Sequence, residues 1–80
     1  MSDEKIIYEL TLLLIYLTSW EEEILKDTKT LVNWKNFRFE ILDELEKQGL
    51  INQGRKTIYL TEKEISLAKE IKKKYNLKDD

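Results

Sequence analysis

The side chains best equipped to hold an anion are Arg55 and Lys56, adjacent cations within Leu45 to Thr61, LEKQGLINQGRKTIYLT. They fall between two short apolar runs, Leu50-Ile51 and Thr57-Ile58-Tyr59-Leu60, so the spacing puts them at a hairpin tip. Cations on such a tip either lie along phosphates or are an ordinary solvated turn. Gln53 would add hydrogen bonds there, although it is also a common turn residue. Lys35 and Asn36 stand at the start of a helix that begins near Phe37, the end that approaches phosphates or base edges. Arg38, close by, points toward Leu42 and Leu45 and suits snorkelling over the core or pairing with a carboxylate.

A second set is acidic. At about 100° per residue, the side of this helix opposite Leu42 and Leu45 carries Glu40, Asp43 and Glu44. Three carboxylates there repel a polyanion and suit a basic protein partner. A third set is apolar: Tyr8, Leu12 and Ile15 lie on one side of the first helix and are candidates for a contact with another subunit.

Catalysis has little to work with. The chain has no histidine and no cysteine, which removes imidazole bases, thiol nucleophiles and thiolate metal sites. Glu40 and Glu44 share an exposed helical face rather than a cleft. Ser2, Ser19 and Ser66 have no base candidate beyond lysine. Glu21-Glu22-Glu23 diverge on a helix and read as a helix start rather than a metal site. The expectation is a non-enzymatic protein with no cofactor and no metal.

The elements that must position these groups follow from periodicity. Eighty residues, 41% hydrophobic, allow one domain spanning 1–80, with 76–80 fraying. Asp3 to Leu17 reads as a helix. Ile6, Leu10, Leu13 and Leu17 form its buried stripe, with Ile7 and Leu14 on the flanks. Because Tyr8, Leu12 and Ile15 lie opposite, the helix is apolar nearly all round and wants cover on both sides. Ser19 with Glu22 fits a capping box opening a second helix, Trp20 to Lys26. Asp27 to Asn33 reads as extended or irregular. Trp20 and Trp34 read as core or lid aromatics. The third helix covers Phe37 to Gln48, capped by Asn33 or Asn36, with Ile41, Leu42 and Leu45 inward and Gly49 as its stop. Ile58 and Leu60 face the core. Thr61 with Glu64 is a second capping box, opening a helix to about Tyr75 whose inward stripe is Ile65, Ala68, Ile71 and Tyr75. Lys69, Lys72, Lys73, Lys74 and Lys78 suit its negative C-terminal end.

Net charge is −2, so no global field recruits nucleic acid. The first 34 residues carry seven acids and three bases, and the remainder nine and eleven, so an anionic partner should meet the second half. The start, MSDEK, is acidic where a signal peptide is basic, and Leu12 to Leu17 is too short for a membrane span. A cytoplasmic protein is expected.

The run Leu42-Asp43-Glu44-Leu45-Glu46-Lys47-Gln48-Gly49-Leu50-Ile51, followed by Tyr59-Leu60-Thr61-Glu62, resembles the recognition helix, wing and following helix of winged helix-turn-helix domains in bacterial regulators of the multiple-antibiotic-resistance and PadR types. Over most of its length, including Leu14 to Glu21 and Trp34 to Phe37, the chain also resembles a small family of uncharacterised bacterial winged-helix proteins. The resemblance implies a mainly α (α+β) winged helix-turn-helix of about four helical segments plus a two-stranded wing hairpin. It implies double-stranded DNA as a partner, met by the wing and the start of the third helix. The residues themselves leave a second outcome open, an interaction or homodimerisation module. That module would use the acidic third helix or the apolar first.

Overall fold

The structure, a computed structural model, describes residues 3–25 and 28–77. Among these, three helices and four strands run in the order α1 (Asp3–Leu17), β1 (Trp20–Leu25), β2 (Thr28–Trp34), α2 (Phe39–Lys47), β3 (Ile51–Gln53), β4 (Thr57–Leu60) and α3 (Glu62–Lys74). The strands form one antiparallel sheet in the order β1-β2-β4-β3. The fold is α+β, but the expected winged helix-turn-helix is not what forms. The segment that should supply the first helix of the helix-turn-helix is a strand, and the two-stranded wing is half of a four-stranded sheet.

The capping reading of Ser19 and Glu22 therefore fails. The Ser19 hydroxyl donates back to the Tyr16 carbonyl at 2.6 Å. Trp20 Nε1 donates to Glu22 Oε2 at 3.1 Å, a contact between residues that share one face of a strand. Pairing with β2 decides the outcome: Glu21 sits opposite Leu31 and Glu23 opposite Lys29, and Lys29 Nζ lies 3.6 Å from Glu21 Oε1. Cross-strand charge pairs of this kind favour the hairpin over an isolated, strongly acidic helical turn. Lys26 and Asp27, expected at the end of a helix and the start of an extended segment, lie outside the described residues. The extended path read from Thr28, Thr30 and Val32 forms as β2.

All three helices pack on one sheet face. Ile51, Ile58 and Leu60 share that face by register and bury against Leu12, Leu13 and Ile15 of α1, Leu42 and Leu45 of α2, and Ala68 and Ile71 of α3. Asn33 projects the same way. Its Nδ2 donates to the Ile15 carbonyl and to Thr18 Oγ1, each at 2.8 Å, and so pins the end of α1 to the sheet. By strand alternation, Trp34 and Val32 point to the other face, where the Trp20 and Trp34 rings pack 5.1 Å apart. Asn33 is therefore a buried clamp and not a helix cap.

Nor does Asn36 cap α2. The helix starts at Phe39, two residues later than expected, because Arg38 is extended and only its carbonyl, not its side chain, meets the first turn. Gly49 stops the helix with φ +79°, where any side chain would be strained. Thr61 Oγ1 accepts from the Glu64 amide at 3.3 Å, but the return arm of the box is missing because the Thr61 amide already donates to the Leu50 carbonyl at 3.0 Å. Asn76, at φ 57°, and Leu77 close α3 through bonds to the Lys73 and Lys72 carbonyls, so these two residues cap the helix. Tyr75, expected inward, is exposed. Residues 78–80, including Lys78, lie outside the described residues.

Candidate functional site

The first helix is turned opposite to expectation. Leu12 and Ile15 are fully buried, and Tyr8 packs against the same core. They hold the domain together and are not free for another subunit. Tyr8 and Leu12 face Leu67 and Ile71 of α3 across a groove, which Lys74 Nζ closes by bonding Glu9 at 2.9 Å. Burial first, and then the Glu44 carboxylate, hold the Tyr8 hydroxyl above its ordinary value. Leu13 is buried as expected, but Leu10 and Leu17, expected inward with it, are not. Ile7, Leu10, Leu14 and Leu17 expose 41%, 47%, 49% and 48% of their surface.

These four residues fall within an arc of about 80° on the helix, the a and d positions of two heptads. Phe39, 65% exposed, lines a shallow groove of about 540 Å³ with Lys35, Asn36, Arg38 and Thr11, the α1 residue that borders this arc. The result is an apolar ridge on α1 with an aromatic on one flank. Its signal in the sequence was the 3-4-3 spacing itself, which the all-round hydrophobicity of the helix obscured.

The structure does bring Lys35 to the hairpin tip. Its Nζ donates to the Gly54 carbonyl at 3.2 Å, and its amide to the Lys56 carbonyl at 3.4 Å, beside exposed Arg55 and Lys56. Asn36 is exposed next to Lys35. Gln53 is turned away: its Nε2 donates to Asp43 Oδ1 at 2.9 Å and Glu46 Oε1 at 3.1 Å, and its amide to Glu46 Oε2 at 2.9 Å. Arg38 points to solvent beside Glu40, 3.8 Å away, and does not snorkel over the core. Glu44 takes the Gln48 side chain at 2.7 Å. Glu40, Asp43 and Glu44 thus each have a local partner.

A family model described as a domain of unknown function (DUF6429) matches residues 3–78. The chain belongs to that family. No curated protein and no solved structure matches it. The matched span takes in α1, the sheet, α2 and α3 together, so the ridge and the basic tip both lie inside the family's domain.

A groove of about 780 Å³ lies between β2 and the start of α3 and has Lys29 and Lys69 on its walls with Glu21 and Glu62. Its charges are mixed, and it gathers no nucleophile with a base. Glu64 is fully buried, and neither carboxylate oxygen has a hydrogen-bond partner; burial pushes its carboxyl up to about 8. A neutral acid is the form such a site holds at pH 7. Among the described residues no helix is long and apolar enough to cross a membrane, and no group of acidic side chains converges as metal ligands would.

Proposed function

We propose that the chain is a non-catalytic protein-association module whose working surface is the outward ridge of α1. The observation that carries this reading is the four aliphatic side chains, Ile7, Leu10, Leu14 and Leu17, nearly half exposed on one helical face. A contiguous apolar strip on a small domain is costly to leave in water, and such strips mark contact surfaces. The strip is uncharged along three turns: Glu9 is the one charged residue between Ile6 and Leu17, and it turns to Lys74 on α3. The test is chemical cross-linking of tagged chain in the producing cells. Higher-mass adducts are expected with the natural sequence and lost with L10K/L14K, which leaves the core untouched. Adducts of undiminished yield in that variant, or none at all, would sink the reading.

A second reading has one observation in its favour. Lys35 sits at the hairpin tip beside Arg55 and Lys56, and three cations at one point suit double-stranded DNA phosphates. Against it stand the acidic outward face of α2 and the loss of Gln53 to that face. Gel-shift titrations at about 50 mM and about 200 mM salt decide it. DNA contact predicts binding that weakens with salt and vanishes in R55E/K56E; no shift at the lower salt removes it.

A further inference from the structure

The ridge on α1 reads the same in both directions. Ile7, Leu10, Leu14 and Leu17 are spaced three, four and three residues apart. Reversing the helix about a point level with Leu12 lays Ile7 on Leu17 and Leu10 on Leu14. A two-fold interface requires this kind of self-complementarity, because one patch must fit itself. We propose that the partner of this face is a second copy of the chain, with α1 packed antiparallel on α1, Ile7 beside Leu17 of the second copy and Leu10 beside its Leu14. The inference rests on the reading of the ridge as the working surface.

Charge selects the antiparallel direction. The first turn of α1 carries Asp3 and Glu4, and its last turn has no basic residue. A parallel pair would set these acids beside their own copies, which costs energy. The antiparallel pair keeps them about a helix length from their own copies and opposes the two helix dipoles. No ion need be stripped of water along the seam. A two-fold axis across the helices also keeps each flank on its own side, so Phe39 from both copies edges the same side of the seam. Even so, four half-exposed aliphatics and a phenylalanine fall short of the roughly 800 Å² per partner of a standard interface. The dimer should therefore be reversible and depend on protein concentration.

The absence of native cysteine makes introduced thiols unambiguous reporters. Leu10→Cys chain is mixed with Leu14→Cys chain under mild oxidation, with sedimentation velocity of the unsubstituted chain run from about 1 µM to about 1 mM in parallel. The expected result is a monomer–dimer transition, abolished in L10K/L14K, and a mixed disulfide in roughly tenfold excess over either homodisulfide, since only facing positions meet the reach of a disulfide. Predominant Leu10→Cys homodisulfide would mean a parallel pair and overturn the proposed geometry. A strict monomer with no mixed disulfide would overturn the second copy as the partner. In that case the in-cell adducts separate the two claims: if L10K/L14K still abolishes them, the ridge serves another protein, and if not, both readings fall.

Discussion

The outward faces of α1 and α2 solve the problem of exposure differently. On α2, each exposed acid finds a neighbour within its own surroundings: Glu40 has Arg38, Asp43 and Glu46 hold Gln53, and Glu44 holds Gln48. Water and these short contacts leave that face complete. On α1, Ile7, Leu10, Leu14 and Leu17 have nothing comparable, since aliphatic groups gain only by leaving water. A charged face can be finished by the monomer, whereas an apolar one needs another surface. Glu64 supplies the contrasting case for α2: it is a fully buried carboxyl with no hydrogen-bond partner on the protein, and burial favours its neutral form, whereas the α2 acids face solvent.

Substitutions on the two sides of α1 test the contrast most directly. Leu12→Ala or Ile15→Ala should cost about 2–5 kcal/mol in urea unfolding of dilute protein, because each empties a fully buried site. Leu10→Ala or Leu14→Ala should stay within about 0.5 kcal/mol under the same conditions. Equal losses on both sides would mean that the ridge is structural. Next in size is the acid without a partner. Glu64 has a folded value near 8 against 4.5 unfolded, so the folded chain keeps a proton that the unfolded chain releases. Stability should be fully present below pH 4.5 and fall by on the order of a few kcal/mol as pH rises toward about 8. Glu64→Gln should flatten that slope, and unfolding free energies measured across the window check it.

Two smaller effects are expected away from α1 and Glu64. Asn33→Ala removes both bonds that pin the end of α1 and should cost about 1–3 kcal/mol, with faster amide exchange concentrated at Tyr16 to Ser19. If exchange rises evenly across the chain instead, the clamp is not local. Gln53→Ala releases Asp43 and Glu46 on an exposed face, so its cost should be no more than about 1 kcal/mol in thermal or urea unfolding. A larger loss would show that α2 depends on the hairpin for more than solvation of its acids.

Much of the second half was legible in the residues. Leu42 and Leu45 as the buried line of α2, Gly49 as its stop, the hairpin with Ile58 and Leu60 inward, and Thr61 before α3 all follow from local rules of spacing, capping and turn chemistry. The first half was not, for two physical reasons. Trp20 to Leu25 satisfies a helix-start pattern and a strand pattern at once, and only its pairing with β2 chooses between them. On α1 aliphatics occupy nearly every direction, so periodicity reveals that a face is buried without saying which one. The candidate site divided the same way. Lys35, Arg55 and Lys56 were identified from sequence and lie together, Gln53 was spent on α2, and the proposed partner surface moved from Tyr8, Leu12 and Ile15 to the opposite side.

Local residue order is enough for an uninterrupted apolar first helix with a 3-4-3 aliphatic spacing, the hairpin around Gly54 and an acidic outer side on α2. These depend on residues within a few positions of one another. Long-range contacts are needed for β1 and β2 to form a hairpin, for Asn33 to reach back to Ile15, and for α1 to turn Leu12 and Ile15 inward. Those outcomes depend on partners far along the chain, whose packing and pairing energies outweigh the local preferences of any one segment.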